Sequence, residues 1–360
     1  LYEISIGSEN GSVEANTNGS GMFAYLDNVS TLDLNGLDTS NMTSMSKMFY
    51  KSTSLTNIDT SGFDTSKVVN MNGMFTGCTN LKTLDVSNFK TSKVTDMNNM
   101  FEDCSSLTTL DLSNFDTSNV LYMGNPYSYG YGGMFRNCSS LINLNISSFN
   151  TSKVKYMSNM FHGCSSLVTL DLSNFDTSNV TAMASMFGKC TSLKNLNLSS
   201  FNTSKVTDMD SMFMNCKSLA DLNLSSFNTS SVQTFKQMFF NCSSLVNLDL
   251  SGFDTSNAIS MWHMFSGSSN LETLDLSNFT TSKLETTYFM FYNCSKLKTI
   301  YVSNEWVTTS LKTSSGMFTN CSSLIGTSPE GITTKYDSTK IDATMANYTT
   351  GYLTYKKNTN

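Results

Sequence analysis

The dipeptide Met-Phe recurs along this chain at a fixed spacing, and this repeat constrains the fold more than any other feature of the sequence. It begins at Met22, Met48, Met74, Met100, Met134, Met160, Met186, Met212, Met238, Met264, Met290 and Met317. Successive copies lie 26 residues apart, except for an interval of 34 residues after Met100 and one of 27 after Met290. A period of this length predicts a solenoid, in which equivalent coils stack on one another.

Each unit follows the pattern M-F-x-x-C-S-S-L-x-x-L-D-L-S-N-F-D-T-S-x-V-x-x-M-x-x, as in the copy that begins at Met160. The segment L-x-x-L-D-L has the two-residue alternation of a short strand. The rest of the unit has apolar residues three to five positions apart, which indicates turns or brief helical pieces. One unit has too few apolar residues for a core of its own, so the units must stack to bury them.

The sequence therefore predicts an α/β-type solenoid of about twelve 26-residue coils, with a parallel β-sheet on one face and turns or short helical segments on the other. We expect the solenoid to cover residues 22–325, with an insertion at 126–133. Residues 1–21 fit a degenerate N-terminal coil or a truncated cap. Residues 326–360 are expected to form a C-terminal cap, because a terminal coil otherwise exposes an apolar face and strand edges.

The repeated string C-S-S-L-x-x-L-D-L-S-N-F-D-T-S-x-V-x-x-M-x-x-M-F resembles the BspA-type leucine-rich-repeat surface proteins of bacteria and some protozoan parasites. The resemblance covers about Met22 to Leu324. The segment from Gly326 also resembles the closing segment that follows such arrays. The resemblance implies a right-handed leucine-rich-repeat array that lies outside the cell and acts in adhesion or partner binding. It supplies no catalytic residues.

Composition excludes several classes of function. Charged residues make up only 14% of the chain, and the formal net charge is −6. A nucleic-acid binder needs a basic footprint, whereas Arg136 is the single arginine here. No apolar run approaches the roughly 18 residues of a membrane-spanning helix. The sequence has only two histidines, His162 and His263, and no nucleotide-binding or zinc-protease motif. We therefore predict no enzymatic activity, no cofactor and no nucleic-acid partner.

The cysteines form one column, four residues after the repeat Met: Cys78, Cys104, Cys138, Cys164, Cys190, Cys216, Cys242, Cys294 and Cys321. A disulfide ladder is one interpretation, because adjacent coils place their α-carbons within the permitted separation. However, the uninterrupted run from Cys78 to Cys242 has an odd number of members, and Ser52 and Ser268 occupy the same position in other coils. These features favour a structural ladder of buried thiols.

Asp33, Asp59, Asp85 and Asp111 occupy one outward column in four consecutive coils. Carboxylates about 4.8 Å apart repel each other by roughly 0.9 kcal/mol even in water, so something must compensate them. One explanation is hydrogen bonding to nearby turn amides and hydroxyls, and the other is bound calcium, which prefers oxygen ligands. No EF-hand spacing accompanies them. The column therefore predicts structural hydrogen bonds, with a metal site as the alternative.

Aromatic residues depart from the repeat in two places. The insertion reads P-Y-S-Y-G-Y-G-G and carries Tyr127, Tyr129 and Tyr131, residues favoured in recognition loops. The second group should meet on the convex side of the stacked coils: Phe240, Trp262, His263, Tyr288, Phe289 and Tyr292. Each group is either a partner-binding surface or a covering over its own coils.

These features together predict a non-enzymatic cell-surface or secreted adhesin that recognises a protein of a host or neighbouring cell. The alternatives are a carbohydrate-binding or assembly module that uses the polar strand face, or a structural spacer. The partner is thus an extracellular protein or glycan. Many N-x-S/T triplets occur, and their glycosylation would hinder stacking, which favours a bacterial source.

Overall fold

The computed structural model describes residues 2–7, 11–126 and 132–357. The chain divides into two compact units, Leu1–Val180 (unit 1) and Thr181–Asn360 (unit 2). Each unit is a stack of coils of about 26 residues, and most coils contribute a short strand followed by turns. The predicted leucine-rich-repeat type of solenoid is confirmed.

Regular structure in the described residues consists of short strands and one 3-10 helix. Unit 1 contains β1 (Tyr2–Ser5), β2 (Val13–Glu14), β3 (Val29–Asp33), β4 (Leu37–Asp38), β5 (Asn57–Ile58), β6 (Thr109–Asp111), β7 (Asn143–Asn145) and β8 (Thr169–Leu170). Unit 2 contains β9 (Asn195–Leu196), β10 (Asp221–Asn223), β11 (Asn247–Asp249), β12 (Thr273–Leu276), β13 (Thr299–Val302), β14 (Ile325–Thr327), β15 (Thr333–Lys335), the 3-10 helix (Ala343–Met345) and β16 (Thr354–Tyr355).

Neighbouring coils pair in parallel with equivalent residues opposite each other. In unit 2, Leu222 of β10 lies opposite Leu248 of β11. In unit 1, Leu110 of β6 lies opposite Leu144 of β7, although the insertion separates them in sequence. The coils on either side of the insertion therefore keep the register of the array. A shift by one residue would have moved side chains between the inner and outer faces.

The repeated apolar residues form continuous columns in the interior of each unit. Phe75 and Phe101 in unit 1 are fully buried and nearly parallel, with ring centroids 5.7 Å apart. Phe213 and Phe239 in unit 2 repeat this arrangement at 5.7 Å. Burying such a side chain stabilises the fold by about 1.5–3 kcal/mol, so the columns supply the core that single coils lack.

All nine cysteines are buried and are thiols. Cys78 donates its thiol hydrogen to the carbonyl oxygen of Phe49 in the preceding coil, with Sγ and O 3.2 Å apart, and Cys242 does the same to Phe213 at 3.1 Å. Ser268 donates to Phe239 at 2.8 Å from the equivalent position. The column thus joins coils by hydrogen bonds, which explains why serine replaces cysteine in it.

A buried threonine column ties successive coils together in the same way. The hydroxyl of Thr229 donates to the carbonyl oxygen of Asp254 at 2.8 Å and accepts from the Asp254 N–H at 2.9 Å. Asn114 adds side-chain donation to three carbonyl oxygens of the preceding coil. These bonds pair backbone groups that a coil without long strands leaves unsatisfied.

Turns, not helices, fill the side of the coil opposite the strands. The residue before Met-Phe and the residue three after the Met have left-handed backbones in most coils, as at Asn99 (φ 62°) and Asp103 (φ 60°). Left-handed residues interrupt a right-handed helix. The turn amides bond instead to the next coil, as when the Phe75 N–H donates to Met100 O at 2.9 Å.

The segment after Leu324 packs against the last repeats of unit 2. Strand β16 pairs in parallel with both β13 and β14, and β14 pairs antiparallel with β15. Tyr352 and Leu353 are fully buried, and the Tyr352 ring meets Phe318 edge to face at 5.4 Å. The proposal that residues 326–360 cap the array rests on these contacts.

Candidate binding surfaces

Six ring-bearing side chains come together on the turn side of unit 2. We call them the aromatic patch; they are Phe240, Trp262, His263, Tyr288, Phe289 and Tyr292. They come from three successive coils, and stacking brings equivalent turn positions next to each other. The structure thus places this whole sequence-predicted group in one location.

His263 lies at the centre of the patch. Its ring meets Phe240 and Tyr288 edge to face, with centroids 5.7 and 5.9 Å apart. It stacks on Phe289 at 5.3 Å and lies 5.3 Å from Trp262 in a tilted arrangement. Edge-to-face and offset-stacked pairs contribute about 0.5–1.5 kcal/mol each beyond the area they bury, so the rings hold one another in fixed orientations.

Phe289 connects the remaining members. Its ring is 4.3 Å from that of Tyr288 and 5.0 Å from that of Tyr292, both edge to face. Trp262 is the most accessible member, with 37% of its surface exposed, and the other five are half-buried. The patch therefore combines a packed base with an exposed indole.

No carboxylate, lysine or arginine belongs to the patch. Burial among the rings lowers the pKa of His263, because the charged imidazolium loses its solvation. Its Nδ1 atom is inaccessible to solvent and has no hydrogen-bond partner. A histidine in these surroundings is neutral at physiological pH, so the six side chains of the patch carry no charge.

His263 and Phe289 adopt left-handed backbones, with φ values of 55° and 51°. Equivalent positions in other coils are left-handed too and hold glycine, asparagine or a longer polar residue, as at Gly73, Asn99 and Gln237. A left-handed conformation costs roughly 1–2 kcal/mol for a residue with a β-carbon. Histidine adopts it more often than most residues do, whereas a bulky side chain such as that of Phe289 is an outlier there. Such strain concentrates at functional sites.

The coil that carries Phe289 has a second unfavourable feature. Thr287 occupies the position of a core methionine and is fully buried, and its hydroxyl has no hydrogen-bond partner. An unsatisfied buried hydroxyl costs about 1–3 kcal/mol. The patch therefore lies over a coil that carries both an unsatisfied buried hydroxyl and a left-handed phenylalanine.

The insertion tyrosines Tyr127, Tyr129 and Tyr131 lie outside the described residues. The base of the insertion is described: Gly124 and Gly133 form an antiparallel bridge, and the Gly133 N–H donates to Asn99 Oδ1 at 3.0 Å. A partner-binding role for these tyrosines stays a prediction.

A second candidate surface, the strand-face groove, lies in unit 1 and has a volume of about 980 Å³. Its lining comes from outward residues of the strand segments, among them Thr83, Asp85, Thr109, Asp111 and Asn143. The lining contains several aspartates and no basic residue. It offers hydroxyl, amide and carboxylate groups in a regular array.

The outward aspartates are held by turns. Asp59, Asp85 and Asp111 each accept, through Oδ1, the N–H of the serine two residues later at 2.9 Å, and Asp33 accepts that of Asn35 at 3.1 Å. For the first three, hydrogen bonds from that serine's hydroxyl and N–H lower the pKa of the carboxyl group. These bonds provide the local compensation that one of the two explanations requires.

Metal binding by these aspartates was the other explanation. Across residues 2–7, 11–126 and 132–357, no group of three or more His, Cys, Asp or Glu side chains is arranged to hold a metal ion. Calcium binding through Asp33, Asp59, Asp85 and Asp111 stays a prediction, which a thermal melt can test.

The thiols are poor nucleophiles. Burial raises the pKa of Cys78 and of Cys242 to about 12, and it raises that of Cys104 well above its usual value. Only the thiolate reacts readily, so these side chains remain protonated and inert at neutral pH.

Among the described residues, no helix is both long and apolar enough to span a membrane.

One family model matches this chain over most of its length, at residues 17–131, 130–245 and 219–328. The chain belongs to the family described as "Mycoplasma protein of unknown function, DUF285". Each match covers about four coils, so the family model spans several successive repeats. No curated protein matches the sequence.

Several solved structures resemble this DUF285 chain. A leucine-rich repeat protein from Bacteroides ovatus is 16% identical, with 86% of this chain and 91% of that chain covered and a TM-score of 0.43. A leucine-rich cell surface protein from Faecalibacterium prausnitzii is 16% identical, with 87% of each chain covered and a TM-score of 0.41. The functional domain of InlJ from Listeria monocytogenes, which includes a cysteine ladder, is 14% identical, with 77% of this chain and 67% of that chain covered and a TM-score of 0.17. Identities this low carry no information on partners.

Sequence reasoning about this DUF285 array missed the left-handed backbone at the position before Met-Phe. The signal was available, because glycine and asparagine recur there, as at Gly21, Gly73, Asn99 and Asn159. It also missed the roles of the buried threonines, whose partners are backbone groups one coil away.

Proposed function

We propose that this chain is a non-enzymatic binding scaffold, displayed on or secreted from the cell, which recognises a protein partner through the aromatic patch. One observation carries the proposal: Phe289 keeps a large aromatic ring on a left-handed backbone, at a repeat position where the next coil has Gly316. Glycine or asparagine would relieve that cost, so the Phe289 ring serves something other than the stability of its own coil. The resemblance of the repeat to BspA-type surface proteins supports an extracellular location and adhesion.

The composition of the patch supports a protein partner. Tryptophan and tyrosine dominate protein-interface hot spots. The Trp262 ring is exposed and rests on the half-buried His263 ring. A surface that contains no charged side chain binds through apolar contact and shape. Its affinity should therefore depend little on salt.

Adhesion of protein-coated beads to layers of cultured epithelial cells tests this function. The double variant Trp262→Ala/Tyr288→Ala should lose adhesion while retaining the melting temperature of the parent to within a few degrees. The matched control is Tyr122→Ala/Tyr156→Ala, which removes two aromatic rings, stacked 5.6 Å apart, from the turn side of unit 1. Protease treatment of the cells should abolish adhesion if the partner is a protein. Equal adhesion by both variants would refute the assignment of the patch.

A second candidate function is glycan binding in the strand-face groove, favoured by its volume and its array of hydrogen-bonding groups. The variant Asp111→Asn/Asp171→Asn replaces carboxylates with amides and should preserve the turn hydrogen bonds, as Asn145 does in its own coil. Binding to a glycan array that disappears in this variant would favour the groove over the aromatic patch.

A further inference from the structure

The Phe289 ring occupies space that exists because the next coil has a glycine. Gly316 stands at the equivalent position of that coil, with a φ of 65°. A β-carbon at this position would lie 2.2 Å from Cε1 and 2.5 Å from Cδ1 of Phe289. Since carbon atoms do not approach so closely, the Phe289 ring could not keep its place beside any residue but glycine.

Contacts pass the position of Phe289 on to the exposed indole. Phe289 stacks on His263 at 5.3 Å, and His263 contacts Trp262 at 5.3 Å. The backbone beneath the rings is also fixed: the His263 N–H donates to Tyr288 O at 3.0 Å, and the Phe289 N–H donates to Ser315 O at 3.1 Å. The orientation of Trp262 thus depends on a chain of ring contacts that begins above Gly316.

We propose that Gly316 is a positioning residue of the aromatic patch: by lacking a side chain it seats Phe289, which holds His263 and Trp262 in the orientation that docks an uncharged, apolar protein surface. This inference rests on the proposed function and adds to it how the surface is preorganised. Side chains already held in the bound orientation lose less entropy on binding. Gly316 itself touches no partner.

The first test follows Trp262 without any ligand. In a Trp306→Phe background, Trp262 is the single tryptophan, because the chain has two. Gly316→Ala should increase the quenching of Trp262 fluorescence by acrylamide, because displaced rings release the indole. The matched control is Gly73→Ala: Gly73 has a φ of 64° at the same repeat position, and the nearest atoms to its β-carbon belong to Thr76 and Lys47. The control imposes the same backbone strain with no ring nearby and should leave quenching unchanged.

A double-mutant cycle assigns the effect to Phe289. Phe289→Ala alone should raise quenching, and adding Gly316→Ala to it should change nothing further, because no ring remains to displace. The single variant Phe289→Ala also tests the ring contacts if Gly316→Ala does not fold. Unchanged quenching in Gly316→Ala or in Phe289→Ala would overturn the inference, as would equal effects of Gly316→Ala with and without the Phe289 ring.

The second test uses the bead-adhesion assay on epithelial cells. Loss of one or two ring contacts should weaken adhesion by about threefold to tenfold in Gly316→Ala, with no dependence on salt, while Gly73→Ala keeps parental adhesion. Altered quenching with weakened adhesion supports both proposals. Altered quenching with unchanged adhesion supports the positioning role and overturns the proposed function of the patch, so the two failures are distinguishable.

Discussion

The buried threonine column provides a direct test of how the coils are held together, and Thr229→Val is the sharpest substitution in it. Thr229 is fully buried. Its hydroxyl donates to Asp254 O at 2.8 Å and accepts from Asp254 N at 2.9 Å. Valine has nearly the shape of threonine, so the substitution removes both hydrogen bonds without leaving a cavity.

The expected cost follows from the groups left without partners. Thr229→Val strands one N–H and one C=O of Asp254 in a partly buried site, and each unsatisfied group costs about 1–3 kcal/mol. Because water reaches the edge of this site, we expect the lower part of that range, a total of about 2–4 kcal/mol. Thr229→Ser keeps both bonds and loses one methyl group, which costs about 0.8 kcal/mol.

Thiol labelling in the native state measures how much Thr229→Val lowers the stability of its own coil. Cys242 lies in the coil between Thr229 and Asp254 and is fully buried, so it reacts only when the coil opens. A loss of 2–4 kcal/mol should speed its labelling by roughly thirtyfold to several hundredfold, as followed by mass spectrometry. Cys78 in unit 1 is the internal control and should react at the parental rate. Urea unfolding followed by circular dichroism gives the global free energy.

The relative stability of Thr229→Val and Thr229→Ser decides whether the hydroxyl joins the coils. If Thr229→Val is as stable as Thr229→Ser, or if Cys242 reacts no faster in Thr229→Val than in the parent, the hydroxyl does not join the coils and the argument from the column fails.

Four further predictions follow from the other columns. Thr287→Val should raise the free energy of unfolding by about 1 kcal/mol in urea, because it removes a buried hydroxyl without a partner; a loss of stability would contradict this. Cys242→Ser should stay within about 1 kcal/mol of the parent, as Ser268 shows in its own coil, whereas Cys242→Ala should lose about 1 kcal/mol or more. The carboxyl pKa values of Asp85 and Asp111 are lowered in the folded chain. The two carboxylates therefore stabilise the fold fully above the unfolded pKa of about 3.9, and this contribution is lost as the pH falls below it. The melting temperature of Asp85→Asn/Asp111→Asn should fall less than that of the parent between pH 5 and about 2. If calcium binds the outward aspartates, millimolar calcium should raise the melting temperature, and an unchanged value would dispose of that alternative.

Much of the fold could be predicted from the sequence because the repeat is nearly perfect. The spacing of Met-Phe gives the length of each coil, and the alternation of leucines gives the strand, as at Leu222 and Leu248 in register. Burial of these columns follows from hydrophobicity alone, which has no direction and needs only that equivalent residues stack. To predict turns instead of short helices, one must recognise the left-handed positions, and recurring glycine and asparagine indicate these only indirectly.

The candidate site was predictable in membership but not in geometry. The departures from the repeat at Trp262, His263, Tyr288 and Phe289 are visible in the sequence, and their clustering follows from stacking. The strain at His263 and Phe289 is a property of backbone angles. The dependence of Phe289 on Gly316 also lies outside the sequence pattern, because it arises from how one side chain lies across the next coil.

By itself, the sequence determined which residues are buried, how often the chain returns to the same position, and where the repeat is broken. Only the tertiary structure decided that Cys242 and Thr229 bond to backbone groups of a neighbouring coil, that Asp85 folds back on its own turn, and that Gly316 makes room for an aromatic ring. The physical reason is that hydrophobic burial depends on composition and period, whereas hydrogen bonds and close packing depend on distances and angles between coils that are set only when the coils stack.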